Sequence, residues 1–279
     1  MRINTNVAAM NTLRVMAQTD QAVTRSIGRL SSGFRINRAA DDAAGLAIAN
    51  QLRADLGALR QATRNAEQAG SLLKVAEGGM NGIQSVLERM KELASQAASD
   101  NVDSAGRTRI NTEFQLLIAE IDRIAVSTEF SGVVLLNGTA SDLEFVVGNS
   151  SAIANDKITL TASTIDLDAT ALGVAGTAVD TDTGAEAVLT QLDAATTGSF
   201  DLIGNAFATV GAQANRLDVA LNQVRITVEN TAAAESVIRD ADMAAEITEL
   251  TKNQILAQAG ISVLAQANSS SQSVLALLQ

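Results

Sequence analysis

No proline occurs anywhere in this chain of 279 residues, so nothing in it removes a backbone donor from a helix interior or forces a kink. Apolar residues recur over long stretches at alternating steps of four and three, the spacing that keeps one stripe of a helix turned towards a partner helix. Near the start the stripe is Ala9, Leu13, Met16, Asp20, Val23, Ile27 and Leu30. Ser31-Ser32-Gly33 ends it, and a polar connector from Asn37 to Asp42 offers Asp41 or Asp42 as the N-cap of the next helix.

That next helix is predicted from about Ala43 to about Ala98, roughly 80 Å long at about 1.5 Å per residue. Leu52, Leu56, Leu59, Thr63 and Ala66 keep one register. Ala69, Leu73, Ala76, Met80, Ile83, Leu87, Met90, Ala94 and Ala97 keep a second, offset by a three-residue step that locally overwinds a coiled coil. Gly78, Gly79 and Gly82 each cost about 1 kcal/mol of helix propensity, which close approach of a neighbouring backbone would offset. A third, shorter helix carries Ile110, Phe114, Leu117, Ile121 and Ile124.

The period then changes from helical to alternating. Val133–Leu136, Leu143–Val147 and Lys157–Thr161 read as strands, with Asn137-Gly138 as a hairpin turn. Residues 163–185, rich in Thr, Asp, Ala and Gly, read as irregular surface structure. Helix resumes near Ala185, with an interruption at Thr196-Thr197-Gly198. Ile203, Phe207, Val210, Ala214, Leu217, Leu221, Val224 and Val228 then give eight heptad positions without a charge. After a second polar joint at Asp240, the last stripe runs Ile247, Leu250, Gln254, Ala257, Ile261, Leu264, Asn268, Ser271, Leu275 and Leu278. The fold class expected is therefore mainly α: a long antiparallel helical bundle, or coiled-coil rod, with a small β-hairpin region in mid-chain.

Composition narrows the function. The chain has no His and no Cys, which removes histidine bases, thiol nucleophiles and the usual zinc sites. Asp41-Asp42 and the Asp240/Asp242 pair flank helix starts, where capping explains them. Asp180-Thr181-Asp182-Thr183-Gly184 looks like part of a calcium loop, but its Gly comes one place early and no third Asp precedes it. No catalytic residue, cofactor site or metal site is expected, and the reading is of a protein that is not an enzyme. A net charge of -11 argues against nucleic-acid partners, and no stretch has the apolar length of a membrane span. Residues 1–40 hold six Arg against Asp20 alone, a net of +5, whereas 240–279 hold Lys252 against four carboxylates, a net of −3. Opposite charge on two helical ends suggests that they pair. Met1–Asn6 has no secretory apolar core, so export without cleavage is expected.

Several runs of residues resemble one family. Ile3-Asn4-Thr5-Asn6-Val7-Ala8-Ala9-Met10-Asn11 is similar to the start of bacterial flagellins. Leu30-Ser31-Ser32-Gly33-Phe34-Arg35-Ile36-Asn37-Arg38-Ala39-Ala40-Asp41-Asp42-Ala43-Ala44-Gly45-Leu46-Ala47-Ile48-Ala49 resembles the most recognisable stretch of that family, with Phe34 where Leu is more usual. At the other end Gln254–Asn268 and the Leu277-Leu278 finish resemble its C-terminus, and Glu120–Ile124 and Asn215–Asp218 match between. The resemblance spans roughly 1–139 and 200–279.

It implies a self-assembling subunit of the flagellar filament, extracellular and serving swimming motility, exported through the flagellar type III channel. Terminal helices 1–42 and 240–279 would line the innermost tube. Segments 43–139 and 186–239 would form the helical shell, and 140–185 a short outer segment. Implied partners are many copies of the chain itself, an export chaperone, the filament cap and hook-junction proteins. Self-assembly is expected to use Leu13, Val23, Ile27, Leu30, Ile261, Leu264, Leu275 and Leu278. Recognition by an animal Toll-like receptor is implied on a face containing Arg89, Leu93 and Glu113. It would be weak, because Leu117 stands where recognised flagellins tend to carry Arg. The rival readings are a hook–filament junction protein, which shares such ends, and a flagellin-like surface binding protein displaying 140–185.

Overall fold

The computed structural model describes residues 6–139, 141–149, 156–194 and 198–276. Two compact units share the chain: one of residues 1–56 and 229–279, the other of residues 57–228. Helix α2 (Ala43–Ala97) and helix α5 (Ser199–Arg239) each contribute to both.

The first unit is built on α1 (Val7–Ser32) and α6 (Met243–Ala276). Asn6 caps α1 by accepting from the Ala9 N–H at 3.0 Å. Gly33 ends it with φ at 75°, a left-handed conformation that favours glycine, and returns its N–H to the Arg29 carbonyl at 2.8 Å. Both sequence-derived joints are present. Asp42 caps α2 through Gly45 N–H, and Asp242 caps α6 through the Ala244 and Ala245 N–H groups. Asp41 instead braces the connector, accepting from the Asn37 and Arg38 N–H groups at 3.2 and 3.0 Å. Those donors, Arg38 first, hold its carboxyl below the ordinary Asp range.

The two joints meet. Phe34 bridges Asp240 in antiparallel fashion, Arg35 N–H donates to the Arg239 carbonyl at 2.7 Å, and Ala241 N–H donates to the Gly33 carbonyl at 2.9 Å. The Arg239 guanidinium lies 4.1 Å from the centre of the Phe34 ring, a cation–π contact.

The second unit holds the main core. Every position of the second α2 register, from Ala69 to Ala97, is buried at 3% exposure or less. Against it pack Phe114, Ile118, Ile121 and Ala125 of α3 (Ser104–Ser127), Val188 and Leu192 of α4 (Asp182–Asp193), and Ile203, Val210 and Leu217 of α5. The expected helix interruption is present between α4 and α5. Of its residues, Thr196 and Thr197 lie outside the described ones.

Two small antiparallel sheets complete the unit. Strands β1 (Glu129–Phe130) and β2 (Val133–Val134) pair with each other, as do β3 (Leu143–Val146) and β4 (Lys157–Leu160), where Leu143 faces Leu160 and Val146 faces Lys157.

Two sequence expectations are corrected here. Asn137-Gly138 is a turn but not a hairpin between paired strands; that role falls to Ser131-Gly132, whose φ angles of 55° and 82° join β1 to β2. Leu135 and Leu136 follow β2 into the core, at 1% and 0% exposure, which carries Asn137 away from any pairing. Residues 163–185 are irregular up to Thr181, beyond which α4 begins at Asp182, but they are not surface structure: Ile165, Leu167, Leu172, Val174 and Val179 are all buried. Helix side chains satisfy the backbone of this segment and so permit its burial. Asp122 accepts from Ala169 N–H at 2.8 Å, Asn111 accepts from Val179 N–H at 3.0 Å, and Gln115 donates to the Thr177 carbonyl at 2.7 Å.

The glycine cluster of α2 divides by environment, and the helix runs through it unbroken. A Cβ at Gly79 would lie 2.5 Å from Thr128 Oγ1 and 2.7 Å from Leu136 Cδ1, whereas at Gly78 it would meet open space. Gly79→Ala is therefore expected to destabilise by about 1–3 kcal/mol through overpacking. Gly78→Ala is expected to stabilise by up to about 1 kcal/mol through helix propensity. Urea titration of the two variants checks this opposite pair of signs.

Candidate assembly surface

Helices α1 and α6 lie antiparallel along each other. Arg29 Nη1 is 3.6 Å from Glu246 Oε2 near one end, and Asn6 Nδ2 donates to the Ala267 carbonyl at 3.1 Å near the other. The opposite charge of the chain ends thus contributes one partly screened ion pair, worth little by itself.

The most buried of the inward-facing residues are small or polar, and the larger apolar ones among them are only half-buried. On α1 Ala9, Thr19 and Ser26 are buried, with Thr12, Met16, Val23 and Leu30 half-buried. On α6 Glu246, Leu250, Asn253, Ala257, Gly260, Leu264 and Ala267 are the covered positions, an unbroken run of heptad steps in which Asn253 is most buried, at 7% exposure. Small side chains let the two helices approach, and a Cβ on Gly260 would already stand 3.9 Å from Met16 Cγ.

The large apolar residues point elsewhere. Val7, Met10, Leu13, Val15 and Ile27 on α1, and Ile247, Ile255, Leu256, Ile261 and Val263 on α6, are each about half exposed or more. Of the residues singled out from sequence, Leu13, Ile27 and Ile261 therefore lie on outward faces, at 48%, 51% and 59% exposure. Val23, Leu30 and Leu264 are half-buried. The side chains of Leu275 and Leu278 lie outside the described residues. Two neighbouring apolar stripes wind along each terminal helix, and only one is used within the chain. Sequence periodicity merged the two and missed Thr19, Ser26 and Asn253, whose polarity hid them.

The second candidate face is in the other unit. Arg89 donates from Nε and Nη2 to Glu113 Oε1 at 3.0 and 2.8 Å and from Nη1 to Glu92 Oε2 at 2.8 Å. Those carboxylates, Glu92 first, raise the Arg89 pKa. Leu93 does not share the surface with them: it is 2% exposed and belongs to the core, and Leu117 packs half-buried against that core. Among the described residues, no group of three or more carboxylates is placed to hold a metal ion, and no helix is long and apolar enough to cross a membrane.

A mainly α chain whose first and last helices pair through small residues and turn their large apolar residues outward has the build of a helical structural protein. Models of the bacterial flagellin N-terminal and C-terminal helical regions match residues 3–141 and 190–278. A flagellin of Halalkalibacterium halodurans is 38% identical over 279 residues, covering all of both chains, and one of Bacillus subtilis is 37% identical over 313, again covering all of both. The flagellar filament 33 kDa core protein of Treponema phagedenis is 38% identical with the same full coverage. Among solved structures, a Bacillus cereus flagellin crystal structure is 33% identical, covering 62% of this chain and 94% of that one with a TM-score of 0.49. The chain belongs to the bacterial flagellin family.

Proposed function

We propose that this chain is the repeating structural subunit of a bacterial flagellar filament, extracellular and serving swimming motility. The observation that carries the reading is the outward apolar face on both terminal helices. An exposed face of this extent on a soluble chain marks an interaction site, and a second copy brings the same face in repeat, as a polymer requires. The full-length relatives named for flagellin and for filament core proteins support the same assignment.

In this reading the terminal helices, 1–42 and 240–279, form the innermost tube. Segments 43–139 and 186–239 surround it, and 140–185 is the short outer segment. Export through the flagellar type III channel, a chaperone for the C-terminal helix, the cap and the hook-junction proteins complete the set of partners. Receptor recognition would be weak, with Arg89 already committed to Glu113 and Glu92, Leu93 buried, and no cation at Leu117.

Seeded growth tests the reading and separates it from a junction protein. Purified chain added to sheared flagellar filaments is expected to lengthen them continuously, as followed by negative-stain microscopy. Binding that caps seed ends without elongation would favour the junction protein and overturn the proposal.

A further inference from the structure

Two Asn-Gly dipeptides occur in the sequence, Asn81-Gly82 and Asn137-Gly138. Such a pair is chemically vulnerable because glycine leaves its amide nitrogen unshielded next to the Asn side-chain carbonyl. The fold treats the two differently. Asn81 and Gly82 are in the interior of α2, where the Gly82 N–H is held in the helical ladder. Asn81 Nδ2 is tied to the Glu77 carbonyl at 2.9 Å.

Asn137-Gly138 stands in a turn, with Gly138 at φ 65°. Asn137 Oδ1 accepts two hydrogen bonds, from Thr139 N–H at 3.2 Å and Thr139 Oγ1 at 2.7 Å. Two donors on that oxygen polarise the amide carbon and stabilise negative charge arriving on the oxygen, as an oxyanion hole does. The carboxylate of Asp166 fills the space that a side chain on Gly138 would take. The nearest atom there is Oδ2; the other oxygen, Oδ1, is buried without a hydrogen-bond partner, while the carboxylate also accepts from the Asp168 backbone. Donors for the electrophile and a carboxylate packed against Gly138, the residue that carries the nucleophile, thus flank one dipeptide.

We propose that Asn137-Gly138 is a self-modifying site, at which the chain deamidates through a succinimide with Asp166 as the general base. Asp166 takes the Gly138 amide proton and Gly138 N bonds to Asn137 Cγ. The Cγ–Nδ2 bond then breaks, and the nitrogen leaves as ammonia with the proton that Asp166 had taken. Water next adds to either imide carbonyl, and the ring opens to aspartate or, with the main chain rerouted through the side chain, to isoaspartate. Burial first, and the neighbouring Asp168 second, raise the Asp166 pKa, which makes its ionised form the stronger base. The product places a new carboxylate beside Asp166 and Asp168, next to the point where Leu167 N–H donates to the Leu136 carbonyl at 2.9 Å.

The test incubates the folded chain at neutral pH and follows both dipeptides by peptide mass spectrometry, with enzymatic methylation to detect isoaspartate. Asn137 is expected to convert at least about tenfold faster than Asn81 in the folded chain, a modest share of what a positioned base contributes. In denaturant the two should convert at similar rates. Asp166→Asn should slow Asn137 by about tenfold without altering Asn81. Thr139→Val, which removes one donor to Oδ1 and spares the carboxylate, should slow it as well. Circular dichroism of each variant verifies that it is folded. Equal rates at Asn81 and Asn137 in the folded chain would overturn the proposal, as would a folded Asp166→Asn variant that converts at the parent rate.

Discussion

Ile261→Asp is expected to stop growth on filament seeds while leaving the melting of the free chain within about 0.5 kcal/mol of the parent, the usual range for an exposed position. Ile261 is 59% exposed in the isolated chain, so a carboxylate there meets water and strains nothing. In a polymer the same position would be covered, and the variant would lose the burial of Ile, about 1.5–3 kcal/mol. It would also desolvate an unpaired charge, at several kcal/mol. Every subunit would use the same surface, so the loss would recur at each addition. At 1.4 kcal/mol per tenfold, a 3 kcal/mol loss already raises the concentration needed for growth about a hundredfold. Leu264→Asp should differ in kind. Leu264 is half-buried on the face of α6 turned to α1, so besides blocking growth this variant should further loosen the α1–α6 seam and reduce the small heat absorbed as it opens, while the melting of the core stays unchanged. Calorimetry of both free chains beside seeded-growth microscopy separates the two effects. An Ile261→Asp chain that elongates at the parent rate would remove the outward face from the assembly mechanism.

The contrast between Ile261 and Leu264 also marks where sequence reading stopped. The long helices were legible because their signal is redundant. In α2 the eight residues Leu73, Ala76, Met80, Ile83, Leu87, Met90, Ala94 and Ala97 share one stripe, and the structure buries all of them. A stripe that meets one continuous core has only one solution. On α1 and α6 the apolar residues cover two faces, and periodicity cannot say which face meets the neighbouring helix within the chain. Packing decides it: small Ala9, Thr19 and Ser26 allow close approach, Met16, Val23 and Leu30 are half-covered, and Leu13, Val15 and Ile27 are left outside. The segment 163–185 was misread for a related reason. Its composition is that of a loop, and its burial depends on Asn111, Gln115 and Asp122, which lie far away in sequence. Leu93 was assigned to a surface by resemblance, though its place beside the second α2 stripe already pointed to the core.

Hydrogen exchange in the free chain is expected to be fast along α1 and α6 and slow along α2, α3 and α5 between residues 66 and 217, and the terminal helices are expected to become slow on polymerisation. Protection follows the apolar contact that must be broken to open a segment. Residues 66–217 supply a core that includes Phe114, Met80, Ile83, Leu87, Met90 and Leu160, each fully buried. Among the described residues the seam of α1 with α6 offers no such group: its buried positions are Ala9, Thr19, Ser26 and Asn253. Burying Thr, Ser and Asn returns little free energy beyond their hydrogen bonds, of which Thr19 spends its own on the Val15 carbonyl one turn earlier. Helix propensity alone leaves a segment of this kind marginal in water. The side chains able to stabilise it, among them Leu13, Ile27, Ile255 and Ile261, are exposed in the free chain and would be covered by another copy. Each contributes about 1.5–3 kcal/mol on full burial, which adds to what the half-buried Met16, Val23, Leu30, Leu250 and Leu264 already supply within the chain. Folding free energy of the terminal helices is then released at the growing end, which couples order in the subunit to addition of the subunit. Peptides from 7–32 and 243–276 should gain at least about a hundredfold in protection on polymerisation, which corresponds to about 2.8 kcal/mol. Peptides from 69–97 should change little. Terminal helices as protected in the free chain as α2 would show that the α1–α6 seam is self-sufficient, and assembly would then have to be driven by contacts elsewhere.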